Sequence, residues 1–391
     1  MVETARDPPP RAQIAILGLV LVVASALVVP LGRIGAPQVA LFGIGLVLGA
    51  ALYHAAFGFA SAYRNAIVGG DLSAVAAQLV MLAVAILLFA PVLAHGSAFG
   101  RPVVGAVAPV GVAMALGAFV FGIGMQLAGG CASGTLYAAG GGSARMAVVL
   151  VFFCLGGFWA SLHMPWWTAL PGIGAVSLGE RLGWAPAVAL QLALLAGVWS
   201  ALRLVGGRIR RPLWGAGGFS RRRMLAGPWP LLLAALLLAF GNWLTLLVAG
   251  HPWSITWAFT LWPAKVAVAL GWDPATSPFW SGEFQRLALS RPVLADTVSV
   301  MNVGILLGAL TAAALAGRVA PSLRIPAASL AAAVIGGLTM GYGARLAYGC
   351  NIGAFFSGVA SGSLHGWVWI GCAVFGNLIG IRLRPLFRLP A

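Results

Sequence analysis

Acidic residues are nearly absent from this sequence. Seven Asp and Glu stand against 23 Lys and Arg in 391 residues, and charged residues of both signs make up only 8%. A soluble globular domain carries roughly a quarter charged residues, so a water-soluble fold is excluded. Cysteine is scarce as well: Cys131, Cys154, Cys350 and Cys372 lie in or beside apolar segments, with no CxxC or Cys/His spacing. That excludes a disulfide framework and leaves no metal-ligand pattern. There is no P-loop, no HExxH and no Ser/His/Asp constellation, so neither ATP-driven pumping nor hydrolysis is indicated, and no cofactor is called for. The start, MVETARDPPPRA, is polar and of mixed charge, unlike the n-region of a cleaved signal.

Apolar length dominates what remains. The chain is 61% hydrophobic with a mean hydropathy of +0.99. Repeated apolar runs of about 20 residues with short connections describe an all-α, polytopic membrane protein whose solvent is the lipid bilayer. The net charge of +16 resembles a nucleic-acid footprint. However, the cations are almost all arginine and cluster between apolar runs, where membrane topology alone requires them. No nucleic-acid partner is expected.

The spacing predicts a polar tail at 1–12, a first membrane half at 13–205, a basic loop at 206–228 and a second half at 229–391. Spans are expected near 13–31, 37–57, 72–93, 103–128, 145–163 and 185–205. Further spans are expected near 229–249, 297–317, 327–347 and 366–383. The positive-inside rule places GGRIRRPLWGAGGFSRRR, at 206–223, in the cytoplasm, and six crossings back from it the N-terminus is cytoplasmic too. The short run 255–271, with Trp262-Pro-Ala-Lys265, is expected to dip into the bilayer rather than cross it. The polar segment 272–292 is expected at a surface.

A repeat runs through both halves. FGIGMQLAGGCASG at 121–134 aligns with MGYGARLAYGCNIG at 340–353 at a single offset of 219, with seven identities in fourteen positions. Each window holds one cysteine in a glycine-rich run directly after a long apolar segment. The match marks an internal duplication, and the charge pattern favours an inverted one. Irregular backbone cannot face lipid, so these runs are either membrane-penetrating Gly/Cys loops around a cavity or tight helix contacts. In the first case Gly130, Gly134, Gly349 and Gly353 free N–H groups for an anion. Ser133, Thr135 and Asn351 then add polar donors, or else cap short helices.

Cys131 and Cys350 occupy one repeat position, which sets them apart from Cys154 and Cys372, read as small core hydrophobes. Arg345 and its repeat partner Gln126 lie five residues before the cysteines. A guanidinium at that depth must meet an anion or clamp carbonyls, because carboxylates are scarce. Arg64, Ser357 and His365 are weaker candidates.

At these residues the chain resembles the YeeE/YedE family, which handles sulfur uptake across the bacterial inner membrane. GMQLAGGCASGTLYAAGGGS (124–143) and GARLAYGCNIGAFFSGVASGSLHGW (343–367) carry the resemblance, and FGFASAYRN (57–65) and DTVSVMNVGILLGAL (296–310) extend it. The resemblance implies uptake of thiosulfate or a related small sulfur anion, relayed by S–H hydrogen bonds from Cys131 and Cys350. It makes the chain a transporter or channel rather than an enzyme. Thiosulfate-transporting members have a further cysteine nearer the N-terminus, and here Gly58 stands where some relatives place it. Other members are linked to selenium, or to sulfur handling beside a small cytoplasmic sulfur-carrier protein. A rival reading makes one cysteine a persulfide carrier in a membrane-embedded sulfur-transfer protein. Another has a neutral solute permeate past cysteines that only pack.

Overall fold

Glycine decides how closely the helices of this protein approach one another. A computed structural model describes residues 12–214 and 220–390. The expected tail, with Arg6 and Arg11, and the centre of the basic loop lie outside them. The first half holds α1 (Ile14–Ile34), α2 (Ala36–His54), α3 (Phe59–Gly69), α4 (Ser73–His95), α5 (Val112–Ala128), α6 (Ala132–Gly140) and α7 (Ala144–Leu162). Short turns α8 (Met164–Thr168) and α9 (Leu178–Leu182) lead to α10 (Trp184–Leu204). After α11 (Arg221–Ala226) the second half holds α12 (Leu231–Ala249), α13 (Thr256–Ala269), α14 (Glu283–Ser290), α15 (Thr297–Leu315) and α16 (Ala327–Leu346). A π-helical turn, Asn351–Phe356, then runs into α17 (Ser357–Ala360), and α18 (Leu364–Leu383) follows. The only strands among the described residues are two short antiparallel pairs.

Ten helical segments of the described residues are long and apolar enough to cross a membrane. The protein is a polytopic helical membrane protein. With 14 residues and an internal Pro263, α13 is not among the ten. The span expected at 103–128 begins only at Val112. Pro102, Gly105, Pro109 and Gly111 keep the preceding residues extended, and Pro109–Gly111 pairs with the strand Gly172–Ala175.

Backbone ties identify the two ends of the bundle. At one end Gln13 N–H bonds Ala314 O at 2.9 Å. There too Leu72 N–H bonds Arg208 O, and Trp229 N–H bonds His54 O. This end carries the basic loop. At the far end Leu178 N–H bonds Gly362 O, Leu364 N–H bonds Val176 O, and Val104 N–H bonds Gly250 O. Hence α5–α6 runs from the far end to the basic end, whereas α16–α17 runs the other way.

Matched contacts accompany this arrangement. α16 lies on α7 as α5 lies on α18, α15 on α2 as α4 on α12, and α1 on α15 as α10 on α4. In the crossing of α5 and α16, a Cβ on Gly343 would fall 2.7 Å from Phe121 N, and one on Gly124 would fall 2.7 Å from Met340 N. Backbones that touch this way gain dispersion and weak Cα–H contacts without a hydrophobic driving force, which lipid does not supply. Gly343→Val is expected to destabilise the purified protein by about 1–3 kcal/mol or more. A lower melting temperature in detergent would register it.

At the basic end, Asp71 caps the start of α4 by accepting from Ser73 N–H at 3.0 Å and Ser73 Oγ at 2.6 Å. It also pairs with Arg211 at 3.1 Å. Burial alone would raise this carboxyl, but Ser73 and Arg211 outweigh it and hold it below its ordinary range. Its folded pKa is therefore depressed, so its contribution is present above the unfolded value of about 3.9 and lost as pH falls through the folded one. Melting temperature measured from about pH 6 to pH 3 should fall less steeply for Asp71→Asn than for wild type.

Candidate functional site

Both long helices that meet in the core break at a cysteine. α5 closes at Gly129 with φ 80°, and after Gly130 the extended Cys131 becomes the N-cap of α6. The Cys131 Sγ accepts from Gly134 N–H at 3.4 Å and lies 3.3 Å from Ser133 Oγ. α16 ends at Leu346, and Tyr348 and Gly349 follow at φ 58° and 151° before Cys350 opens the π-helical turn. A side chain at Gly349 would meet Ala354 N at 2.8 Å, so this reversal needs glycine. Unlike Cys131, Cys350 makes no side-chain capping bond at the head of its turn.

The two breaks come together. α6 lies against the π-helical turn, and Cys131 and Cys350 belong to one continuous buried core. Both thiols are free, at 1% and 0% exposure. Asn351 Nδ2 donates to Tyr63 Oη at 3.4 Å, and Tyr63 and Tyr137 pack in the same core as Cys131. Thr135 Oγ1 and Asn351 Oδ1 are buried without a protein partner. An unmade hydrogen bond at a buried polar atom costs about 1–3 kcal/mol, a cost that a ligand or water meeting these oxygens relieves. Gly58 borders the cluster, since a Cβ there would lie 3.6 Å from Tyr137 Oη.

The repeat partners Gln126 and Arg345 separate in role. Gln126 Nε2 donates to Ala60 O at 3.0 Å and Asn377 Oδ1 at 2.6 Å, tying α5 to α3 and α18. The last carbonyls of α5 need partners before the break. Arg145 donates to Ala128 O and Leu127 O, and Arg384 donates to Gln126 O. Arg64 stands close to Arg384 in the same cationic group. At the second break backbone N–H groups do this work, with Gly349 N–H bonding Ala344 O. Arg345 is thereby freed. Its guanidinium sits 4.9 Å from the Phe279 ring centroid and 6.0 Å from that of Trp257, and its buried Nε has no partner.

Arg345 lines a cavity of about 490 Å3 at the far end, with Ser254, Trp257, Thr260, Asp296 and Tyr348. Ser254 connects this space to the second break, because a Cβ on Gly353 would lie 3.1 Å from its Oγ. Ser357 and His365 face other tasks. Ser357 Oγ donates to Trp253 O at 2.7 Å and accepts from Asn242 Nδ2 at 3.0 Å. His365 Nδ1 lies 2.7 Å from Ser363 Oγ at the start of α18.

Tyr63, Tyr137, Asn242, Ser254 and Asn302 escaped the sequence reading. Asn242 Oδ1 accepts from Trp253 N–H at 2.8 Å, and Asn302 Nδ2 donates to Ile255 O at 2.9 Å. Together they pin the loop that forms the cavity floor. A lone amide inside an apolar span was the available signal. Among the described residues no three His, Cys, Asp or Glu gather to hold a metal ion. Asn242→Ala is expected to cost about 1–3 kcal/mol by stranding Trp253 N–H in the core, read as a lower melting temperature than for Leu244→Ala on the exposed face of α12.

Comparison with known proteins agrees in kind. A family model described as sulphur transport matches residues 54–379. Over 170 residues the chain is 34% identical to the "Probable transporter YedE" of Escherichia coli (strain K12), covering 42% of this chain and 39% of that relative. The YedE of Salmonella typhimurium matches to the same extent. With the "Thiosulfate transporter TsuA" of Spirochaeta thermophila it shares 29% identity over 270 residues, 67% of this chain and 74% of TsuA. The chain thus spans about two fifths of the YedE relatives and most of TsuA. With the family match running through nearly every span and across both cysteine breaks, the chain belongs to the sulphur transport family.

Proposed function

We propose that this protein is a membrane transporter, not an enzyme, that admits a small sulfur-containing anion, thiosulfate being the leading substrate, past Cys131 and Cys350. One observation carries the proposal: two broken helices of opposite direction bring their thiols into one buried cluster with unpartnered Thr135 and Asn351 oxygens. The name of the TsuA relative supports thiosulfate as the substrate. Each break directs the positive end of a short helix toward the cluster, which favours an anion there. Neutral thiols suit this path, since thiolates would repel the ion. S–H groups and the N–H groups of Ile352 and Gly353 lend donors, and Arg345 attracts the ion into the far-end cavity.

The matched contacts of the two halves support an inverted two-fold repeat. The basic loop supports a cytoplasmic basic end; in this reading the cavity opens on the outer side of the bacterial inner membrane and the N-terminus lies on the cytoplasmic side.

Uptake of labelled thiosulfate into cells lacking their own uptake system tests the thiol path. Removing one hydrogen bond to a charged ligand costs about 1.5–3 kcal/mol, roughly a 10- to 150-fold effect. Cys131→Ala and Cys350→Ala should each lose uptake on that scale. Arg345→Gln should raise the half-saturating concentration more than it lowers the maximal rate. Unchanged uptake in both cysteine variants would remove the thiols from the path. Competition by sulfite, sulfide and selenite would define the substrate class.

A further inference from the structure

The connection after the third helix differs sharply between the two halves. Three residues, 70–72, join α3 to α4, but 27 residues, 270–296, join the corresponding helices α13 and α15. This extra segment lies over the Arg345 cavity. Phe284, Leu287 and Ala288 share one face of α14 and line the cavity, while Phe284 and Leu287 remain 61% and 45% exposed. Phe284 meets the Trp257 ring at 4.9 Å between centroids, and the segment's own Phe279 covers the Arg345 guanidinium.

The segment is held at two points. Trp280 is fully buried, donates to Ser161 Oγ at 2.8 Å, and packs among Trp257, Trp272 and Phe158. At the end of α14, the single lysine of the chain, Lys265, donates from Nζ to Leu289 O at 2.7 Å and Arg291 O at 2.6 Å. Between these points α14 spans the cavity mouth, its last turn packed through Ala288 and Leu289 against Leu261, Ala264 and Trp280 and its first turn resting on Phe284. A loop that served only to connect α13 and α15 would not need a buried tryptophan anchor and a cationic latch on either side of an apolar face.

We propose that residues 270–296 form a selectivity strap, latched by Lys265, which sets the size of solute that reaches Arg345. The proposal rests on the transport reading for its substrate, but its structural part does not. Small anions such as thiosulfate pass beneath α14, whereas an S-alkyl thiosulfate carrying an amino-acid body is held out by Phe284 and Leu287. Phe279, seated on the guanidinium, keeps water and bulky anions off it until a small anion competes.

The test uses Ser254→Cys, a near-isosteric reporter on the cavity floor, in the full chain in membrane vesicles. Its labelling by a small and by a bulky membrane-impermeant thiol reagent is compared in three backgrounds. With the native strap, the small reagent should react at least tenfold faster than the bulky one. In Lys265→Met, and in Phe284→Ala/Leu287→Ala on the exposed strap surface, the bulky reagent should gain about tenfold and the preference should shrink. The surface double variant keeps the test decisive if the lysine variant folds poorly. Bulky and small reagents reacting alike with the native strap, or unchanged rates in the folded variants, would overturn the proposal whether or not the protein carries thiosulfate. In uptake assays, S-sulfocysteine should inhibit labelled thiosulfate entry only in the strap variants. Equal inhibition of wild type would likewise overturn the size selection.

Discussion

Backbone contact between α5 and α16 is the constraint on which the rest depends. Gly124 and Gly343 let the two helices cross without side chains between them, and each helix breaks a few residues beyond the crossing. A break in a membrane helix exposes carbonyl and N–H groups that lipid cannot satisfy. It survives only inside protein, so one contact both permits the breaks and buries them. Larger residues at the crossing would separate the breaks and leave two faults in place of one site.

The two breaks solve the same backbone problem differently. At the end of α5 the carbonyls of residues 126–128 are met by Arg145 and Arg384. At the end of α16 the chain reverses through Tyr348 and Gly349 and meets its own carbonyls. The consequence is electrostatic. Basic-end arginines are engaged with helix ends, while Arg345 keeps an unpartnered Nε beside an open cavity. The two ends of the bundle thereby present unlike faces, one with its arginines engaged and one with a guanidinium facing open space.

The same asymmetry appears in the connections. The turn at 70–72 is closed by Asp71, Ser73 and Arg211, whereas its counterpart extends into the strap over Arg345. Aromatic contacts run from Phe284 through Trp257 to the guanidinium, so the surface helix and the buried cation belong to one assembly.

Much of this was written in the sequence. Apolar runs of bilayer length leave little freedom in the number of helices, and arginine clusters mark their ends. The shared Gly-Cys windows announced the two breaks because glycine-rich polar backbone has few places to go within a membrane. Only the tertiary structure decided what each polar residue meets. Gln126 and Arg345 are equivalent in the repeat, yet one binds α3 and α18 and the other faces a cavity. Tyr63 joins the thiol cluster from a helix 288 residues away from Asn351, and Asn242 and Asn302 look alike in sequence to any tolerated amide. A residue's type states which hydrogen bonds it needs, but its partners come from other helices, and their meeting is set by how the glycines let those helices cross.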